Sequence, residues 1–284
     1  MARQQQEDII KRAVDGALAD IEKYAPREFQ QLQADPANKQ AIIKAAREAA
    51  EEQVKLAEEF RTRPSENVAE RLSKHLPKHR VDLIQTGLQV PTYRVNICKK
   101  TDGHHWADIT RDGKQFMESK KLDTIAAVNA TSWIQIASIV VEAVLLVLQA
   151  VGIKVAVSEQ AIAKTAEEII PVIESSSQLQ KAVKALQEAA EGGSKLEIAK
   201  AIFNLIKDSY SASILWKIIK GLCSNMSTWD WIKTAGIVSA MIIAALATDG
   251  LALIAKIVLA LNSAYEFIKK LTNLGELDAL KKKL

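Results

Sequence analysis

The stretch Ala235–Leu261, AGIVSAMIIAALATDGLALIAKIVLAL, carries only two charges, Asp249 and Lys256. Its apolar residues run right round the helix on both sides of Thr248-Asp249-Gly250. A helix of that kind is buried, either in a large protein core or in a membrane. Ala235–Ala247 is interrupted only by the Ser239 hydroxyl, and Leu251–Leu261 only by Lys256. Each run is shorter than the ~20 apolar residues a bilayer crossing needs. Between them, Gly250 would cost a continuous helix about 1 kcal/mol against alanine. Asp249 can cap a new helix beginning at Gly250. The stretch is therefore expected to fold as a hairpin of two apolar helices joined by a very short turn. The alternative is one long helix with Asp249 at membrane depth, a costly place for an ionisable group.

A second apolar stretch, Ile125–Ile153, has Glu142 as its only charge. As a helix it would measure about 43 Å at 1.5 Å per residue, enough to cross a bilayer. Asn129, Ser132, Gln135, Ser138, Glu142 and Gln149 recur at spacings of three, four and seven, and only Thr131 lies off that series. They form one narrow polar stripe. Such a stripe either packs against a neighbouring helix or faces water while the rest of the surface meets lipid. An echo links the two stretches: Trp133–Val140 (WIQIASIV) and Trp231–Val238 (WIKTAGIV) share five of eight residues. Shared composition accounts for it as well as duplication does.

The remaining chain reads as what surrounds these stretches. Glu7–Tyr24 is an amphipathic helix through Ile10, Val14, Leu18 and Ile21, limited by Pro26. Asp35-Pro36 marks the start of a second helix, striped by Ile42, Ala46, Ala49, Val54, Ala57 and Phe60 and ended by Pro64. A short third helix covers Glu66–His75. From about Val81 the period becomes two: Tyr93, Val95 and Ile97, then His105, Ala107 and Ile109, alternate with polar residues. Asp102-Gly103 and Asp112-Gly113 are hairpin turn signals, and Lys114–Met117 is a candidate third strand. Beyond the long apolar stretch, Ser158–Tyr210 is amphipathic helix with breaks at Pro171 and Gly192-Gly193, and Ser194 with Glu197 forms a capping box. Ser213–Lys220 continues apolar to a stop at Gly221. Thr228 caps the next helix, with Asp230 in its first turn. An amphipathic tail through Leu261, Tyr265, Ile268 and Leu271 ends at Gly275.

The expected fold is mainly α: a helical bundle with central apolar helices, plus a small antiparallel β meander. Residues 1–79 form N-terminal amphipathic helices, 80–118 the meander, and 122–284 the bundle with its apolar helices at 125–153 and 235–261.

Composition narrows the function. An apolar fraction of 48% is that of a globular chain, not a polytopic membrane protein. The net charge of +4 is small and interleaved, which argues against nucleic acid as a partner. Arginine stops at Arg111, and all later basic residues are lysine. MARQQQEDII has no apolar signal region, so a cytoplasmic chain or one exported by a non-Sec route is expected. Cys98 and Cys223 are too few for a disulfide framework and are expected as unpaired thiols. His75 and His79 have helical metal spacing, but Pro77 stands between them, and His104 with His105 falls in a turn. Zinc needs about three or four convergent ligands, so no metal is expected. Asp108 and Asp112 read as hairpin turn residues. No nucleophile elbow, P-loop, C-x-x-C or H-E-x-x-H is present, so neither enzyme nor cofactor is expected.

The aromatics carry more weight. Trp133, Trp229 and Trp231 stand at the starts of the two apolar stretches, and Tyr265 just beyond the second. Lysines flank both, as in a membrane-interface belt; bundle helices also end in aromatics that close a core. An apolar hairpin sheathed in amphipathic helices resembles the organisation of colicin-type pore-forming domains, in pattern over the C-terminal half. That resemblance implies a soluble helical protein, toxin-like, that inserts into a lipid membrane; the expected partners are the membrane and, on it, further copies of the chain in a homo-oligomer. The expected inserting residues are Trp133, Ile139, Val144, Leu146, Ile237, Ile242, Ile254 and Val258. Trp229, Trp231 and Tyr265 would sit at the interface. Glu142 and Asp249 would be the pH-sensitive groups, cheaper to insert when protonated. The competing expectation is a soluble helical interaction or scaffold protein whose apolar helices are only core. A constitutive two-span membrane protein ranks third.

Overall fold

A computed structural model describes the chain except for residues 1–2, 87–92, 112–113, 116–117, 154–158, 225 and 284. The protein is mainly α. In chain order the helices before the sheet are α1 (Arg3–Tyr24), α2 (Pro26–Ala34), α3 (Pro36–Phe60), α4 (Val68–Ser73) and α5 (Lys78–Gln85). The strands are β1 (Tyr93–Lys99), β2 (His105–Arg111), β3 (Lys114–Gln115) and β4 (Lys120–Lys121). Then come α6 (Ile125–Ala150), α7 (Glu159–Ser175), α8 (Ser177–Gly192), α9 (Lys195–Ser211), α10 (Ile214–Leu222), α11 (Thr228–Leu246), α12 (Leu251–Ala260) and α13 (Tyr265–Lys281).

Local chemistry sets most of the boundaries. Asp35 accepts the Asn38 amide and Pro36 occupies the first turn of α3, as the sequence led us to expect. The Ser194–Glu197 capping box is formed in both directions at the start of α9. The cap of α11 is Ser227, one residue before the expected Thr228; its hydroxyl takes the Asp230 amide at 3.2 Å. Pro26 both follows α1 and opens α2, a helix whose start was not read. Pro77 likewise stands at the N-cap of α5, a helix that covers residues 81–85, where alternation was expected. Two expected stops, Pro171 and Gly275, are not stops. Pro171 lies inside α7, while Ile169 and Ile173 on either side of it are buried. Gly275 lies inside α13, whereas α10 ends one residue after Gly221 as expected; each glycine marks a place where two helices come close. A β-carbon on Gly221 would run into Thr165 Oγ1 of α7. One on Gly275 would come 2.7 Å from Glu191 Oε1 of α8.

The sheet is antiparallel and centred on β2. β1 pairs along its full length, with Cys98 opposite Trp106 and Asn96 opposite Asp108. β3 and β4 both pair with β2, through Thr110–Arg111 and Trp106–Ala107 respectively. The Asp102-Gly103 turn is as expected, with Gly103 at φ 80°. The expected Asp112-Gly113 turn and Met117 lie outside the described residues. Asp108 sits in β2, not in a turn, and accepts hydrogen bonds from Ser119 and from the Cys98 thiol. Those donors hold its carboxyl below the usual range against the opposing effect of burial. Cys98 and Cys223 are both free.

The centre of the bundle is apolar. α6 is in contact with α5, α7, α9, α10, α12 and α13, and from Ala137 to Leu148 every side chain is buried. α11 lies against α1 and α3, and α12 lies against α9, α3 and α6. The main hydrophobic cluster draws residues from Ile21 to Leu280. A second cluster of small and β-branched residues, including Ala13, Ala17, Ala46, Ala50, Ala240 and Ala244, seals α1 and α3 onto α11.

The break between α11 and α12 falls where the sequence places it. The Gly250 amide returns to the Ala245 carbonyl at 2.7 Å, with Asp249 at φ 54° and Gly250 at φ 70°, the left-handed turn that closes many helix C-termini. Gly250 is pressed against the Phe203 ring, which leaves no room for a β-carbon. Asp249 does not cap α12; Gly250 occupies that position without a side-chain bond. Beyond the turn, the two helices make little contact with each other and pack on different neighbours.

Candidate functional site

α6 begins at Thr124, whose hydroxyl accepts the Ala127 amide at 3.2 Å. Along it, the expected polar stripe meets other helices. Gln135 Nε2 donates to the Lys270 carbonyl of α13 at 2.7 Å. Lys270 Nζ is ion-paired with Glu142 and lies 3.4 Å from Ser138 Oγ. Glu142 is fully buried, and its Oε2 has no hydrogen-bond partner among the described residues. At the other end of the stripe, Gln149 Nε2 donates to the Leu83 carbonyl of α5 at 2.8 Å. Nearer the N-terminus, Ser132 turns back to its own helix at Val128, and the first two residues, Ile125 and Ala126, are exposed.

The single charge of α12 is treated the same way. Lys256 is fully buried and its Nζ meets Glu52 Oε1 of α3. Glu52 is also held by both terminal nitrogens of Arg80 on α5, one of them at 3.2 Å. Arg80 Nη2 donates in turn to the Val151 carbonyl at 2.9 Å, at the C-terminal end of α6. There the helix dipole presents partial negative charge to a cation. Gly152, at φ 82°, lets the guanidinium lie against the backbone: a β-carbon would meet Arg80 Nε at 2.8 Å. One carboxylate thus connects α3, α5 and α12, and through Arg80 the end of α6. Burial pushes the Glu52 carboxyl up, but Lys256 and Arg80 together outweigh it and hold it below its ordinary value.

The expected inserting residues lie inside the bundle. Ile139, Val144, Leu146, Ile242, Ile254 and Val258 are buried, while Trp133 and Ile237 are half-buried. They are not gathered on one surface, because α6 and α11 pack in different neighbourhoods, with α12 against α6. Trp231 is buried, with Lys220 Nζ 5.9 Å from its ring centroid, and Trp229 is half-buried. Tyr265 opens α13; its side chain lies outside the described residues. Of the two acids expected to respond to pH, Glu142 is sealed against Lys270, and Asp249 is exposed in its turn.

Two residues of this arrangement, Glu52 and Arg80, were not singled out from the sequence, and Lys270, expected among the lysines flanking the second apolar stretch, is instead buried against Glu142. Lys270 had a legible signal. It falls between Phe267, Leu271 and Leu274 on the apolar face of α13, where a lysine needs a buried partner. Glu52 and Arg80 had none, since each lies in a segment rich in exposed charge. Comparison with protein-family models, with curated proteins and with solved structures found no match.

Proposed function

We propose that the chain is a water-soluble, toxin-like α-helical protein that inserts apolar helices into a lipid bilayer and perturbs or perforates it. One observation carries the reading. α6 is a 26-residue helix with a single ionisable group, long and apolar enough to cross a membrane. It is wrapped by other helices, and its one charge is cancelled by a residue of a wrapping helix. α11 also has the length and composition of a span.

The paired charges give the resting state its hold. Buried ions persist only when paired, so α6 cannot leave α13 without parting Glu142 from Lys270. α12 likewise cannot leave α3 without parting Lys256 from Glu52. Acid weakens the second contact directly. A protonated Glu52 no longer balances Lys256 and Arg80, and two cations then share one partly buried site. In the inserted state, the stripe from Asn129 to Gln149 would turn to a water path or to a partner helix of a homo-oligomer.

Dye release from anionic liposomes, at neutral and acidic pH, tests the reading. The purified protein should release dye, more strongly in acid, and Ile237→Lys on the half-buried face of α11 should weaken release. A second reading is favoured by the same ion pairs. With each lone charge partnered inside a closed core, the helices also suit a soluble interaction or scaffold protein. Neither release nor vesicle co-sedimentation at either pH overturns the membrane reading in its favour.

A further inference from the structure

We propose that the edge formed by α7, α10 and the first turn of α11 is the surface that docks on an anionic phospholipid bilayer. The inference rests on the membrane reading above and assigns it a face. α7 and α10 enclose an open groove of about 530 Å³ lined by Lys164, Lys217 and Lys220, with Glu168 as the only acid among its described lining residues. Lys164 is 3.8 Å from Glu168. Lys217 and Lys220 have no carboxylate within ion-pair distance among the described residues.

Other surface lysines fall into both groups: Lys11, Lys74, Lys121 and Lys184 each have a carboxylate within 4 Å, and Lys44, Lys55 and Lys78 have none among the described residues, so what marks this edge is the gathering of such lysines around one groove beside a tryptophan. The unpaired cations continue onto α11. Lys220 stands over the Trp231 ring, Trp229 is half-buried beside it in sequence, and Lys233 is exposed one turn further on. Asp230 lies at the same edge, where it accepts the Ser227 hydroxyl. Lysines attract anionic headgroups, and indole rings settle at the headgroup level. The lysines and the half-buried Trp229 are present here, next to the first turn of a helix with the length of a span. A bilayer held at this edge would meet α11 at its first turn.

Vesicle co-sedimentation of the full chain tests this, with phosphatidylcholine alone and mixed with phosphatidylglycerol, at neutral and acidic pH and at low and high salt. The Lys217→Ala/Lys220→Ala variant changes two exposed side chains, and an unchanged thermal midpoint confirms its fold. Lys281→Ala/Lys282→Ala at the C-terminus is the control. Each lysine near an anionic surface contributes about fivefold in affinity, so the edge variant should lose about 25-fold. The control should bind as the parent does, and salt should weaken the parent more than the edge variant. Parent and edge variant binding anionic vesicles equally, or the parent binding both lipid compositions equally, overturns the docking edge and leaves the membrane reading intact. No binding by the parent at either pH overturns the membrane reading itself.

Discussion

Lys270 is the residue whose removal should tell most. Truncating it leaves Glu142 buried without a cation, and breaking one side of a buried pair costs about 3–5 kcal/mol. We expect Lys270→Met to lower stability in urea by that order, and the Glu142→Gln/Lys270→Met double variant to lose clearly less. A double variant as unstable as the single would mean that lost packing of the lysine stem, not the stranded carboxylate, sets the cost. Glu52 makes the pH prediction. Its carboxyl is held below the ordinary 4.5, so its pairing stabilises the fold above about that pH. The contribution is lost as pH falls through the lower, folded value. Unfolding midpoints measured on an acid series should therefore fall less steeply for Glu52→Gln than for the parent, from a lower starting point at neutral pH. Parallel profiles would remove Glu52 from the acid response.

At the scale of elements, the helices are defined by their caps and the packing by their close approaches. Gly221 and Gly275 make a contrasting pair. Alanine at Gly221 would push into Thr165, whose hydroxyl is already bonded to the Ala161 carbonyl at 2.6 Å. Overpacking of this kind costs about 1–3 kcal/mol. Alanine at Gly275 meets the flexible ends of Glu191 and Gln187, which can swing aside, and gains about 1 kcal/mol of helix propensity. Thermal denaturation should show Gly221→Ala destabilised and Gly275→Ala unchanged or improved. The turn from α11 to α12 shows why the expected hairpin does not close. Gly250 is locked against Phe203, α11 is taken up by α1 and α3, and α12 goes to α9, α3 and α6. Both apolar helices pack on other helices of the bundle and make little contact with each other.

Over the whole molecule, protection should follow enclosure. Hydrogen exchange at neutral pH should be slowest in the C-terminal half of α6, where every side chain from Ala137 to Leu148 is buried. Under the membrane reading, acid and anionic vesicles together should raise exchange in α3 and α13, which hold the counter-charges, while α6 stays protected in its new surroundings. Uniform protection with and without vesicles would speak for the scaffold reading. The docking edge predicts further that exchange at the start of α11 responds to vesicles before the rest of that helix does.

Legible in the residues alone are the mainly helical class, the two apolar stretches, the helix starts at Asp35 and Ser194, the β1–β2 hairpin and the break at Thr248–Gly250. Each follows from local chemistry: side-chain periodicity, a capping oxygen, or a residue that tolerates a left-handed backbone. The sequence also shows that Glu142 and Lys256 are lone charges in apolar helices, which requires a partner for each. Which partner was decided only by the tertiary structure. Glu52 lies 204 residues from Lys256 and Lys270 lies 128 from Glu142, and nothing local joins them. The same holds for Gly275, expected as a stop, because a glycine that ends a helix and one that admits a neighbouring helix look alike until the neighbour is in place. Burial couples residues through space, and periodicity reports only which face is to be buried, not what covers it.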